Sequence, residues 1–86
     1  MKKVSVYALS TCPWCMKTKE YFEKHHIPFE STDYDLADEG TQAKIVRELD
    51  AAGASGFPFV RIGDDVVEGY QPARFAELLE IRAPSA

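Results

Sequence analysis

No stretch of the 86 residues approaches the roughly 18–20 consecutive apolar positions that a membrane-spanning helix needs. The start, Met1-Lys2-Lys3, is charged but passes into alternation instead of a continuous apolar segment, so no secretory signal is expected. Basic residues are too few for a nucleic-acid surface: ten Lys and Arg stand against fourteen Asp and Glu, a formal charge of −4. Internal repeats, linkers and low-complexity segments are missing as well. Cysteine is scarce, with two in the chain, Cys12 and Cys15. With no leader, the expected compartment is the cytoplasm, where thiols stay reduced. Two cysteines there read as catalytic or metal-binding before structural.

What is present is ordinary for a globular chain. The hydrophobic share is 45% and the charged share 28%, which argues against disorder. The length, residues 1–86, predicts one domain with no room for a second core. Lysines gather at Lys2-Lys3 and at Lys17, Lys19 and Lys24, while acids dominate from Glu30 to Glu39. That pattern reads as mixed solvated surface or as a basic tip that steers partners.

Val4, Val6 and Ala8 alternate with Ser5 and Tyr7 at the period of a strand. Ser10-Thr11 offers helix-capping chemistry, and Pro13 suits a first helical position. Cys15, Thr18, Tyr21 and Phe22 then recur at helical spacing, and the helix is expected to end around Lys24–His26, ahead of Pro28. A second strand is expected over Pro28–Tyr34, a polar turn over Asp33–Gly40, and a second helix over Thr41–Ala52. That helix carries Ile45, Val46, Leu49 and Ala52 on one side, and Gly53-Ala54-Ser55-Gly56 breaks it. Phe57–Ile62 and Val66–Glu68, joined at Gly63-Asp64-Asp65, read as a hairpin. Pro72 starts a last helix with Phe75, Leu78, Leu79 and Arg82 on its inner stripe, and Ala83–Ala86 is expected to fray. The order β-α-β-α-β-β-α predicts a four-stranded mixed sheet with flanking helices, an α/β sandwich of thioredoxin type.

Thr11-Cys12-Pro13-Trp14-Cys15 holds both thiols within one turn. Two sulfurs so placed can close a small ring, which permits internal exchange: one forms a mixed disulfide with a substrate and the other displaces it. Cys12 sits at the mouth of the predicted helix, where unpaired N–H groups and the dipole favour an anion. Such a position brings a cysteine from about 8.5 into the range of roughly 3.5–7.5. Lys17 and Lys19 either assist or point to solvent. Cys12 is therefore the expected nucleophile and Cys15 the resolving thiol. Trp14 is an apolar lip beside the active sulfur or a surface-packed aromatic. A structural zinc site needs four ligands, of which this pair gives two. His25 and His26 lie ten residues beyond Cys15 and later, roughly 15 Å along a helix. No metal is expected, and both histidines read as solvated helix-end residues.

These residues, together with the strand Val4–Ala8, Gly56-Phe57-Pro58 and Gly69-Tyr70 before the final helix, resemble the glutaredoxin family over essentially the whole domain. The resemblance implies a cis peptide before Pro58, against the cysteine pair, with the Phe57 backbone free to pair with an extended substrate segment. Without the resemblance, Pro58 is a strand-initiating proline. Phe57 lines the groove or plugs the core. Gly69 permits close approach or a positive φ. Tyr70 is a groove wall or a structural residue. The chain also departs from the family's pattern. Glutathione-dependent members usually carry a lysine three positions before the first cysteine, where this chain has Leu9. Their later motif often reads Gly-Gly-x-Asp, where this chain reads Gly69-Tyr70-Gln71-Pro72. That form looks more like the redoxins that serve ribonucleotide reductase and take electrons from thioredoxin reductase, whereas Pro13-Trp14 looks more like a glutathione-type dithiol glutaredoxin. Gln42 or Lys44 would hold a glycyl carboxylate, or both are exposed helix residues.

The expected function is thus a small dithiol–disulfide oxidoreductase that reduces protein disulfides or glutathione mixed disulfides. Glutathione is the expected donor, with thioredoxin reductase the alternative. Its partners would be disulfide-containing proteins, with no nucleic acid or membrane, and nothing requires more than a monomer. A [2Fe–2S] carrier sharing Cys12 between two subunits is the reading from another class, which by resemblance a proline between the cysteines disfavours.

Overall fold

A computed structural model describes residues 2–81. Strand β1 (Val4–Ala8) occupies the middle of a four-stranded sheet of order β2-β1-β3-β4. It runs parallel to β2 (Glu30–Asp33), pairing Ala8 with Asp33, and antiparallel to β3 (Phe59–Ile62), pairing Tyr7 with Phe59. The hairpin to β4 (Asp65–Glu68) closes the sheet. The helices are α1 (Pro13–Lys24), α2 (Glu39–Ala52) and α3 (Pro72–Leu79). The element order is the expected one.

Alternation along the strands divides the core in two. Val4, Val6 and Ala8 face α1 and α3, and with Val60, Ile62, Val67, Cys15, Phe22, Phe75 and Leu78 they make the larger cluster. Phe59 faces the other way and meets Ile45 and Leu49 of α2, with Tyr7 and Val66 at its margin. Among the described residues no helix is long and apolar enough to cross a membrane.

The differences from expectation have local causes. Helix α2 starts at Glu39, not Thr41, because the Asp38 carboxylate accepts the Thr41 N–H at 2.7 Å and caps the turn before it. It stops at Gly53, whose φ of 71° suits glycine. Val46 is 43% exposed and Ala52 is exposed too, so the buried stripe is narrower than the spacing suggests and consists of Ile45 and Leu49. Strand β2 is confined to Glu30–Asp33, since Tyr34–Leu36 forms a 3-10 turn. Strand β3 begins after Pro58, which has no N–H for the ladder. Helix α3 ends at Leu79 with Glu80 in the left-handed region. Arg82 and Ala83–Ala86 lie outside the described residues.

Candidate active site

Beyond Ala8 the chain leaves the sheet and turns, with the Cys12 N–H donating to the Leu9 carbonyl at 3.2 Å. The cap of α1 is Cys12 itself, not Ser10 or Thr11. Its Sγ accepts the Cys15 N–H at 3.2 Å, taking one of the donors that a helix start leaves unpaired. Ser10 is engaged elsewhere: its N–H donates to Asp35 Oδ1 at 2.9 Å and its hydroxyl to Asp35 Oδ2. These bonds hold the Asp35 carboxyl below its ordinary range and tie the cysteine loop to the turn after β2.

Both cysteines are free thiols. Cys12 is partly exposed and Cys15 is buried at 1% exposure. Burial, then a thiol hydrogen bond to Cys12, pushes Cys15 up to about 11, while a hydrogen bond with the Leu9 backbone and then Lys19 pull in the opposite direction. Lys19 is paired to Asp33 at 3.1 Å. Lys17 lies 5.9 Å from the centroid of the Trp14 ring.

Trp14 is 57% exposed and stacks on Tyr70 with centroids 6.0 Å apart. The Phe57–Pro58 peptide is cis, as the resemblance implies, and Pro58 is buried. The Gly69 N–H donates to the Pro58 carbonyl at 2.7 Å, so two distant loops are joined directly. Gly69 has φ of 89°, and a Cβ built there would meet nothing within 4 Å. Its requirement is the positive φ and not close approach. Phe57 packs against both core clusters and lies 5.4 Å from Tyr34, while its N–H and carbonyl have no backbone partner among the described residues. The side chain therefore plugs the core, while the backbone groups stay unpaired. Cys12, Phe57 and Tyr70 all border the larger cluster, Tyr70 meets the cysteine loop through its stack on Trp14, and Gly69 meets Pro58 through its N–H.

Others do not join it. Gln42 donates its amide to the Tyr34 carbonyl at 2.8 Å. Lys44 lines a cleft of about 320 Å³ between α2 and the sheet, with Tyr7, Glu48 and Arg61. His25 packs on Tyr21 at 4.4 Å, and His26 is exposed. Sequence reasoning missed Tyr34 and Asp35. The parallel register that sets Ala8 beside Asp33 is the signal that would have placed Asp35 near Ser10.

Comparison with known proteins gives a consistent answer. The glutaredoxin family profile matches residues 4–67. A glutaredoxin-like 8.6 kDa protein of Clostridium pasteurianum, described as uncharacterized and in a rubredoxin operon, is 34% identical over 77 residues, 90% of this chain and 97% of that one. The crystal structure of a glutaredoxin from Archaeoglobus fulgidus superposes with a TM-score of 0.81 at 31% identity, covering 92% of this chain and 87% of that one. A glutaredoxin from Methanosarcina mazei gives 0.80 at 30% identity, with 90% and 77% covered.

Proposed function

The chain belongs to the glutaredoxin family of thiol–disulfide oxidoreductases, built on the thioredoxin fold, and from that premise we propose that it reduces protein disulfides and glutathione mixed disulfides through Cys12 and Cys15. The observation that carries this reading is the pairing of a reachable sulfur at the α1 N-cap with a buried thiol one turn inside. Cys12, as thiolate, attacks one sulfur of the substrate; the substrate S–S bond breaks, and the departing sulfur takes up a proton. Cys15 then loses its proton and attacks Cys12, releasing the second substrate thiol. The substrate gains two electrons and two protons, and the protein is left with a Cys12–Cys15 disulfide.

The high value of Cys15 supports the order of events. As a neutral thiol it does not compete with Cys12 for the first attack. Hydrogen bonding and charge from Cys12 add to burial in holding the Cys15 proton. Both additions vanish once Cys12 is bound in a mixed disulfide, which eases the second attack. Trp14, Phe57, Pro58, Gly69 and Tyr70 form the groove, in which the unpaired Phe57 backbone receives an extended segment. Cys12→Ser should abolish exchange, and Cys15→Ser should accumulate a mixed disulfide visible by mass spectrometry. Retained exchange in Cys12→Ser would sink the assignment.

We take the whole chain as one cytoplasmic, monomeric domain, with glutathione as its donor. A second donor is favoured by specific observations. Leu9 offers no cation, the Gln42 amide is committed to Tyr34, and Lys44 lies in another cleft, so a glutathione carboxylate loses its family grips. Thioredoxin reductase is that second donor, with ribonucleotide reductase then the acceptor. Oxidised protein, NADPH and either glutathione with its reductase or thioredoxin reductase alone divide the two. Turnover with thioredoxin reductase and none with glutathione overturns the first.

A further inference from the structure

Lysines on this protein fall into two groups. Lys2, Lys3 and Lys19 have carboxylates at 3.9, 3.6 and 3.1 Å. Among the described residues Lys17 and Lys24 have none, and Lys44, the remaining unpaired lysine, belongs to the cleft beside α2. Lys17 and Lys24 are seven residues apart, so two helical turns set them on one face of α1. Both border a groove of about 330 Å³, together with His25, the rings of Tyr21 and Tyr70, and Glu20. Among the described residues Glu20 forms no ion pair with either lysine and is the one acid on the rim. The cationic groove therefore stands out on a chain of formal charge −4.

Its position connects it to the redox chemistry. Tyr70 is a wall of the groove and at the same time the stacking partner of Trp14, so the groove is continuous with the aromatic lip beside Cys12. Lys17 lies over the exposed Trp14 ring, a contact that orients the ammonium without neutralising it. Met16 adds further exposed apolar surface on α1. A polypeptide whose disulfide sits at Cys12 and whose chain crosses the Trp14–Tyr70 stack is led toward this groove, because Tyr70 belongs to both.

We propose that the groove between α1 and the start of α3 is a subsite for an acidic segment flanking the disulfide of a protein substrate, with Lys17 and Lys24 as its charged contacts. The inference rests on the redox reading above and adds the substrate class. Charge of this kind acts mainly on encounter and selectivity.

Pre-reduced full-length protein is mixed in single turnover with two cyclic disulfide peptides, identical except that the flanking residues are glutamates in one and lysines in the other. The rate constant for peptide reduction is followed by mass spectrometry, with no electron donor present. The acidic peptide should react about fivefold faster at low salt, the scale of two exposed ion pairs, and the ratio should shrink toward one at high salt. Lys17→Gln/Lys24→Gln should bring the ratio close to one, and Lys24→Glu should also lower it. Because the readout is a ratio within one protein, a general loss of activity does not imitate it. Equal rates in the unmodified protein overturn the subsite while leaving the redox reading intact. A preference unchanged by the variants overturns its placement in this groove. Reduction of neither peptide overturns the redox reading and the subsite with it.

Discussion

Cys15 is surrounded by the packed side chains of α1 and the sheet, and a thiolate there loses its hydration with little in return. Its value rises from 9.0 to about 11, with burial the first cause and Cys12 the next. A group whose folded value is raised lends stability that is complete below its unfolded value and disappears as pH climbs through the folded one. For Cys15 the window is pH 9 to 11. Tyr7, lifted to about 12 by burial and then by Glu48, adds a limb above pH 10 that does not depend on the cysteines. The two are separable. We expect Cys12→Ser to lose urea stability above pH 9 more steeply than Cys12→Ser/Cys15→Ser, with the curves parallel at neutral pH. The Cys15 limb in Cys12→Ser should lie below 11, because the contributions from Cys12 are gone while burial remains. Parallel curves throughout would mean that burial does not hold the proton.

The starts of α1 and α2 are set by single side chains, Cys12 and Asp38. Asp38 caps α2 through Thr41, so Asp38→Ala should cost about 1 kcal/mol, read as a lower urea midpoint at unchanged m-value. Gly69→Ala should cost about the same for a different reason: the backbone holds φ of 89°, yet a methyl group meets nothing, so strain is the whole effect. The existence and order of the elements were legible in the sequence, because period-two and helical spacing survive folding unchanged. Starts and faces were less legible. Cys12 is not a usual capping residue, and the more usual Ser10 was drawn off by Asp35, a partner that only the β1–β2 register brings near. Val46 read as buried because helical spacing tells which side of α2 a residue occupies but not how wide a stripe the sheet covers. In the site, the cis peptide before Pro58 was legible through the family resemblance. The contact of Tyr34 with Phe57 was not, being a matter of packing between distant elements.

Across the whole molecule the two faces of the sheet are unequally secured. Among the described residues one holds ten buried side chains and two helices, and the other holds Ile45, Leu49 and Phe59 under α2. Helix α2 is the longest, but clefts of about 320 and 270 Å³ run along its two sides, the second bordered by Tyr34, Val46, Leu49 and Phe57. Length does not secure a helix in water; buried contact does. The α2 layer should therefore open by a local route, ahead of global unfolding. Amide hydrogen exchange under native conditions should show the middle of α2 exchanging well before β1 and the middle of α1, whose Phe22 is fully buried among aromatic rings. A core substitution sharpens the comparison. Phe22→Ala, at about 3–5 kcal/mol, removes much of the 5–15 kcal/mol that a domain of this size commands, and should accelerate exchange everywhere. Leu49→Ala should accelerate α2 first and spare β1, provided α2 opens by itself. Uniform acceleration by both variants would show one cooperative unit, and the Phe57 segment, which packs against both clusters, would then be what joins the faces.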